Sequence, residues 1–440
     1  MNSSLFGRCL YYRHPDLVLL NQWGEFKFVI SDENKNNELK AGDLIHIQVS
    51  EDSKIQILTS SQNWGTINES NRSTHSPISG KWTEHVLNPR RRQALKIRSQ
   101  VENSIRSFFI KQDFLEVRTP LLVPCPGMEP HIKPFLVKST HSFEDAQSYF
   151  LPTSPEFAMK RLLVGGLEKI FQICPAFRDE PTSKTHQPEF TLLEWYQAYT
   201  GFEQIMKDTE EMFSYIAHEL FGKPKVYFQG NFISVNPPWP RLKIKDLFLE
   251  FANVDLLKAN TTEALREECI RLKLIHSSSQ PPSIQEDWDD LYFKIWLNLI
   301  EPQLPSQQAV FVTHYPPSQA ALSVISPDEN GNPWAKRFEV YAGGFELGNA
   351  FEELTQPLEQ RRRFIKDMEL RKQVYGERFP ANPLDEDFLA SLEEGMPPSS
   401  GIAMGVDRIA MLFANEPDID FIQWIPVQKL LMASSVTSTQ

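Results

Sequence analysis

The first sixty residues alternate between short β-rich runs and turn residues, a pattern typical of a small antiparallel sheet. Turn signals such as Trp23-Gly24 and Ala41-Gly42-Asp43 separate the runs. The five predicted strands are Leu5–Tyr12, Leu17–Leu20, Phe26–Ser31, Asp43–Val49 and Lys54–Leu58. So many strands in so short a stretch predict a reduced OB-like β-barrel over residues 1 to 62.

The next segment is polar and lacks hydrophobic periodicity, so we predict a linker over residues 63 to 88. A helix is predicted over Ala94–Gln112, where apolar residues recur every three or four positions. A strand ending at Pro120 follows it. We assign residues 89 to 440 to one large domain, with a helical insertion over about residues 201 to 305.

Two stretches that are distant in the chain each place an arginine where an anion could bind. In Phe177–Tyr199, two predicted strands flank a polar loop, with Arg178 and Glu180 on one side and Phe190 on the other. In Gly401–Arg408, a strand with small residues at alternate positions leads into a helix. A guanidinium can clamp a phosphate or carboxylate, and an aromatic ring can stack on a purine.

A predicted hairpin near residue 343 carries two sets of polar side chains. Glu339 and Glu346 lie on either side of Gly343-Gly344, so both carboxylates can face one pocket and suit Mg²⁺. The alternating residues Asn349, Phe351 and Glu353 share one face of a strand. An amide, a ring and a carboxylate together would suit a cationic side chain, whereas the plainer interpretation is an exposed acidic edge strand.

The run Ser154-Pro155-Glu156 is a favourable helix start, with a capping serine, a proline in the first turn and an acid near the positive end of the dipole. Capping alone would account for Glu156. The helix continues through Lys160 and Arg161.

Composition narrows the class of protein. The 440 residues carry a formal net charge of −12 and four scattered cysteines, without a signal-peptide pattern or an uninterrupted apolar run of membrane length. These features predict a cytoplasmic protein that has no membrane partner. The acidity lowers the expectation of a nucleic-acid substrate, because phosphate neutralisation dominates such binding.

Four stretches together resemble the class II lysyl-tRNA synthetases over about residues 90 to 430. They are SPEF..KRL, FRDE…HQPEFTLLEWY, RFEVYAGGFELGNAFEEL and GIAMGVDR. The resemblance implies an α+β fold with the class II catalytic domain, an antiparallel sheet flanked by helices. It also implies ATP and Mg²⁺ as cofactors, and a homodimer formed through the helix and strand near residue 100.

Within that family, EFTLLEWY, YPPSQAAL, RFEVY and above all Ala403 resemble the elongation factor P–(R)-β-lysine ligases. Lysyl-tRNA synthetases typically have glycine at the position of Ala403. The implied function is activation of (R)-β-lysine, or lysine, as an acyl-adenylate and its transfer to a lysine of elongation factor P. Gln187 and Ala350 depart from the family, which usually has asparagine and glycine there. Typical β-lysine ligases lack the N-terminal barrel, so charging of tRNA(Lys) with α-lysine stays open.

Two further alternatives are weaker. A non-catalytic paralogue is disfavoured because the implied ATP and acidic positions are filled, and an asparagine or aspartate ligase because Glu156 and Glu353 suit a dibasic substrate.

The resemblance also implies a role for each site residue. The catalytic residues are Arg178 and Arg408. The ATP site comprises Arg178, Glu180, His186, Gln187, Phe190, Glu339, Glu346, Gly405 and Arg408, of which Glu339 and Glu346 carry the metal. The substrate pocket comprises Ser154, Glu156, Tyr196, Asn349, Phe351, Glu353 and Ala403.

Overall fold

The computed structural model describes residues 3–13, 15–21, 24–30, 39, 43–49, 55–60, 88–138, 148–276, 286–376 and 383–427. These residues form two compact units, one within Met1–Gln93 and the other within Ala94–Gln428. The predicted linker lies outside the described residues except for Asn88.

The first unit is a single antiparallel sheet, and all five predicted strands are present. They are β1 (Ser3–Arg13), β2 (Asp16–Asn21), β3 (Gly24–Val29), β4 (Leu44–Val49) and β5 (Ile55–Ser60). The strand order is β3-β2-β1-β4-β5, and within the described residues no pairing joins β3 to β5. Five antiparallel strands agree with the prediction for this segment, and no closure of the reduced OB-like barrel is seen among the described residues.

Alternation along these strands buries a small apolar core that includes Cys9, Leu17, Leu19 and Ile47. Phe6 lies on the outside, about half exposed, with its ring stacked on His46 at a centroid distance of 3.8 Å.

The second unit contains a large sheet with helices on both sides. Its helices are α1 (Pro89–Lys111), α2 (Glu156–Val164), α3 (Phe202–Phe221), α4 (Ile244–Ala252), α5 (Thr262–Arg271), α6 (Trp288–Ile295), α7 (Pro357–Tyr375), α8 (Glu386–Gly395) and α9 (Val406–Ala414). Its strands are β6 (Leu115–Glu116), β7 (Leu136–Lys138), β8 (Ser148–Phe150), β9 (Lys169–Phe177), β10 (Glu189–Ala198), β11 (Lys225–Phe228), β12 (Asn231–Ser234), β13 (Arg241–Lys243), β14 (Val310–Tyr315), β15 (Ile325–Pro327), β16 (Pro333–Ala342), β17 (Phe345–Glu352) and β18 (Ser399–Gly405).

The large sheet has the order β13-β14-β16-β17-β18-β10-β9-β6, and β15 pairs with β16. Its centre is antiparallel, as predicted, but β13 and β6 pair in parallel with β14 and β9 at the two ends. The region predicted as a helical insertion also contains strands, because β11 and β12 form a hairpin and β13 joins the sheet.

One face of the sheet is buried against α1, α3 and α9. Phe109 of α1 contacts Trp195 of β10 with ring centroids 5.0 Å apart, and Phe213 of α3 contacts Phe413 of α9 at 6.0 Å. Because side chains alternate along a strand, the neighbours of Trp195 in β10 point to the opposite face. That second face carries the polar residues described next.

Candidate active site

The central strands bring the predicted pocket residues into two rows on one face of the sheet. In the first row, Glu194 of β10 pairs with Ala403 of β18, which pairs with Asn349 of β17, which pairs with Glu339 of β16. The second row follows two residues away and comprises Tyr196, Gly401, Phe351 and Arg337. The predicted common face of Asn349, Phe351 and Glu353 therefore agrees with the strand pairing.

The small residues Gly401 and Ala403 of β18 leave space above the middle of this face. A Cβ added at Gly401 would lie 2.2 Å from Cδ1 of Tyr196, so only glycine allows the tyrosine ring to pack there. The Gly343-Gly344 turn, with φ of 62° and 80°, closes the β16–β17 hairpin as predicted, because both positions need the left-handed region.

Helix α2 places a lysine between two acids of the predicted pocket. The Lys160 amino group lies 2.5 Å from Oε1 of Glu156 and 2.5 Å from Oε2 of Glu353. Lys160 and Glu353 are 1% and 2% exposed. Oε2 of Glu353 is held by the Lys160 ammonium, and Oε1 has no hydrogen-bond partner among the described residues.

Burial raises the pKa of the Glu353 carboxyl, and the Lys160 ammonium opposes that rise. The two carboxylates in turn raise the pKa of Lys160 against the effect of its burial, so the lysine is protonated. Capping alone no longer accounts for Glu156, since its carboxylate holds this buried cation. The edge-strand interpretation of Glu353 is also wrong.

A third carboxylate, Glu194, lies fully buried in β10. Its Oε1 accepts a hydrogen bond from the Ser154 hydroxyl at 2.6 Å, and its Oε2 accepts one from the Tyr196 hydroxyl at 3.1 Å. Burial and the charge of Glu156 raise the pKa of Glu194 to about 8. Ser154 and Tyr196, both predicted for the pocket, therefore share Glu194 as a hydrogen-bond acceptor.

The two predicted arginines lie on the same side of the site as the loop histidine. Nη2 of Arg408 lies 2.7 Å from Nε2 of His186, and Nη1 donates to the Glu346 carbonyl at 2.7 Å. The Arg178 guanidinium lies 5.1 Å from the centroid of the Phe190 ring, and its Nε has no hydrogen-bond partner among the described residues. Two guanidiniums separated by more than two hundred residues are thus gathered near one loop.

Because arginine only donates, Nε2 of His186 must accept, and the neutral ring carries its proton on Nδ1. Nδ1 lies 2.9 Å from the Ser183 hydroxyl and 3.0 Å from that of Thr185, either of which can accept it. Partial burial, Arg408 and Arg178 lower the pKa of His186, which favours this neutral form.

The predicted metal pair is close enough for its members to interact. Burial and the charge of Glu339 raise the pKa of Glu346 to about 7. Glu339 accepts hydrogen bonds from Arg337 at 2.6 Å and from Tyr341 at 2.8 Å. Each carboxylate has further lone pairs, so the pair fits one divalent cation, whose charge would relieve their repulsion. No group of three or more potential ligands occurs in the part of the chain that the structure describes.

The other predicted residues are placed as follows. Glu180 is half-buried in the loop after β9, Gln187 is buried in the same loop, and Gly405 ends β18. Asn349 accepts a hydrogen bond from Arg337 at 2.9 Å.

Sequence reasoning missed Lys160, Glu194 and Arg337. Two signals could have found them. Arg337 and Glu194 each lie two residues from a predicted site residue on the same strand, Glu339 and Tyr196, and so share its face. Lys160 follows Glu156 by four residues, which makes the two neighbours on a helix.

A cavity of about 360 Å³ adjoins the cluster and is lined in part by Glu129, Ser154 and Glu156. Burial and the charge of Glu156 raise the pKa of Glu129.

No described helix has the length and apolar character needed to cross a membrane.

Residues 79–429 match the family model described as tRNA synthetases class II (D, K and N). The chain is similar to the lysine–tRNA ligase of Dehalococcoides mccartyi strain 195, with 36% identity over 349 residues, or 79% of this chain and 67% of that one. Lysine–tRNA ligases of Pelotomaculum thermopropionicum and Moorella thermoacetica are each 35% identical, over 79% of this chain and 66% and 68% of theirs. The match spans about two thirds of the length of these relatives.

Proposed function

Since this chain belongs to the class II tRNA synthetase family of the D, K and N type, a family of ATP-dependent amino-acid ligases, we propose that it activates a lysine-type amino acid as an acyl-adenylate. One observation carries the choice of substrate. Three carboxylates, those of Glu156, Glu194 and Glu353, face a single buried ammonium. This excess of acid complements a substrate with two amino groups, whereas aspartate or asparagine would meet no unpaired cation there.

The rows of the sheet support a pocket for the long side chain. Phe351 offers an apolar surface to the methylenes, Asn349 an amide oxygen, and Glu353 a carboxylate for the terminal ammonium. Ala403 lies between Glu194 and Asn349 in the first row, so its methyl group borders the space where the other amino group would bind.

The positions of Arg178 and Arg408 support the following reaction. The substrate carboxylate attacks the α-phosphorus of ATP, a carboxyl oxygen–phosphorus bond forms, and pyrophosphate leaves. Arg178 binds the carboxylate and α-phosphate, and Arg408 with neutral His186 binds the γ-phosphate. Phe190 stacks on adenine, and Glu180, Gln187 and Gly405 line the nucleotide site. Such charge-stabilising contacts are the main way proteins accelerate phosphoryl chemistry.

Glu339 and Glu346 would hold Mg²⁺, which neutralises phosphate charge when bound. The repulsion between the buried carboxylate of Glu339 and the half-buried one of Glu346 supports this role. Arg337 and Tyr341 orient Glu339 through hydrogen bonds to both of its oxygens.

Two acceptors are candidates. The names of the relatives favour tRNA, whose terminal ribose hydroxyl would attack the carbonyl carbon of the adenylate and release AMP. Ala403 favours a lysine amine of elongation factor P instead, which would form an amide with (R)-β-lysine and also release AMP. We further propose that the enzyme is a cytoplasmic homodimer formed through α1 and β6, the counterpart of the family's dimer element.

A transfer assay tests the function. Purified enzyme is incubated with ATP, Mg²⁺ and labelled α-lysine or (R)-β-lysine, and then offered tRNA or elongation factor P. We expect label on tRNA with α-lysine for a synthetase, and label on elongation factor P, greater with β-lysine, for a factor-modifying ligase. If neither amino acid supports pyrophosphate exchange, the proposed adenylation is wrong.

A further inference from the structure

The buried lysine of α2 links two elements of the proposed amino-acid pocket. Lys160 contacts Glu156 one turn earlier in its own helix and Glu353 just beyond β17, each at 2.5 Å. A buried ammonium is costly unless it is paired, and here both partners are acids assigned to substrate binding. The charges of the Glu156 and Glu353 carboxylates are therefore balanced by one internal cation, Lys160.

Lys160 stands among several other ionisable groups. Those facing the cluster are Glu156 from α2, Glu353 after β17, Glu194 and Tyr196 from β10, and Glu129 from the segment before β7. The groups named besides Lys160 are acids, and the charge of Glu156 favours protonation of Glu129, Glu194 and Glu353. Arg178 opposes it at Glu129. A protonated carboxyl is a poor partner for a substrate ammonium.

We propose that Lys160 is a positioning residue for substrate recognition, which keeps Glu353 ionised and leaves Oε1 of Glu353 to receive the substrate's side-chain ammonium. Two observations support this. Lys160 contacts the other oxygen, Oε2. Oε1 is buried without a hydrogen-bond partner among the described residues. The inference rests on the proposed function and deepens it.

The expected effect is a shift in the pH dependence of lysine binding. An opposite charge within a few ångströms lowers the pKa of an acid by about one to three units. Removing Lys160 therefore raises the pKa of Glu353 further, and a smaller fraction is ionised at pH 7. The affinity for lysine falls there by about 10- to 1,000-fold, at tenfold per unit, and recovers as the pH rises.

The experiment measures lysine-dependent pyrophosphate exchange from pH 6.5 to 9.5 in the full chain. Lys160→Met should move the midpoint of kcat/KM for lysine to higher pH while the KM for ATP stays unchanged, and Lys160→Arg should restore much of the wild-type profile. Lys336→Met is the matched control, because Lys336 pairs with Glu352 on the opposite face of the sheet, at 2.9 Å.

If Lys160→Met does not fold, the charge-balanced Lys160→Met/Glu156→Gln variant provides the same test, since Glu353 still loses its cation. Wild-type activity with an unshifted midpoint in the folded variant overturns the role of Lys160 alone. A wild-type enzyme that exchanges pyrophosphate with neither α-lysine nor (R)-β-lysine overturns the proposed function, and this inference with it.

Discussion

Glu352 and Glu353 are adjacent acids in different surroundings. Glu353 is buried and paired with Lys160 of another element, while Glu352 is partly exposed and pairs with Lys336. The alternation of a strand turns the two side chains to opposite faces of the sheet. The same residue type therefore serves the proposed pocket at one position and the other face of the sheet at the next.

Replacing Glu353 with Gln should abolish most lysine activation. The amide cannot offer a charged acceptor to the substrate ammonium, and charge-assisted hydrogen bonds contribute about 1.5–3 kcal/mol. We expect kcat/KM for lysine to fall by roughly 10- to 100-fold, while ATP still binds.

Pyrophosphate exchange and ATP titration of Glu353→Gln check this, with Glu352→Gln as the adjacent control. Unchanged exchange by Glu353→Gln would remove that residue from the pocket.

At the scale of elements, Asp407, the second residue of α9, holds that helix in place. Oδ2 of Asp407 accepts a hydrogen bond from the Thr191 amide of β10 at 2.6 Å, and Oδ1 lies 2.8 Å from the Arg98 guanidinium of α1. The acid is buried, and Arg98 also donates to Thr191 and Ile422. The helix that carries Arg408 is thereby held against both the sheet and α1.

Asp407→Ala should lower the free energy of unfolding by about 3–5 kcal/mol, because it leaves Arg98 mostly buried without its charge partner. Urea denaturation measures the change. The control is Glu359→Ala, which breaks more exposed pairs with Arg362 and Arg363 and should cost no more than about 1 kcal/mol. Equal losses in the two variants would contradict the structural role of Asp407.

At the scale of the whole molecule, the buried acid Glu194 makes stability depend on pH. Its pKa of about 8 in the folded protein lies above the ordinary glutamate value of 4.5, so between these values the folded state binds more protons than the unfolded state. Stability therefore falls as the pH rises through that window, by at most about 1.4 kcal/mol per pH unit for one group.

Glu194→Gln should remove this contribution, so the unfolding free energies of variant and wild type should diverge as the pH rises from 5 to 8. Denaturation followed by the fluorescence of tryptophans such as Trp195, the buried neighbour of Glu194, measures the difference. Glu168→Gln is the control, since that side chain is exposed. Parallel curves for wild type and Glu194→Gln would show that Glu194 does not titrate in this window.

The sequence alone determined the local features. Alternation put Asn349, Phe351 and Glu353 on one face, two glycines specified the β16–β17 turn, and spacing predicted the helix that became most of α1. These features depend on neighbours a few residues apart, for which a period of two or about 3.6 residues is sufficient information.

Only the tertiary structure decided which charges meet. Lys160 reaches Glu353, and Arg408 reaches His186, across about two hundred residues, because helices pack onto the sheet at particular registers. The strand order of the first unit and the parallel end strands of the large sheet were likewise absent from the local pattern. Hydrophobic periodicity specifies which face of an element is buried, but not the partner that covers it.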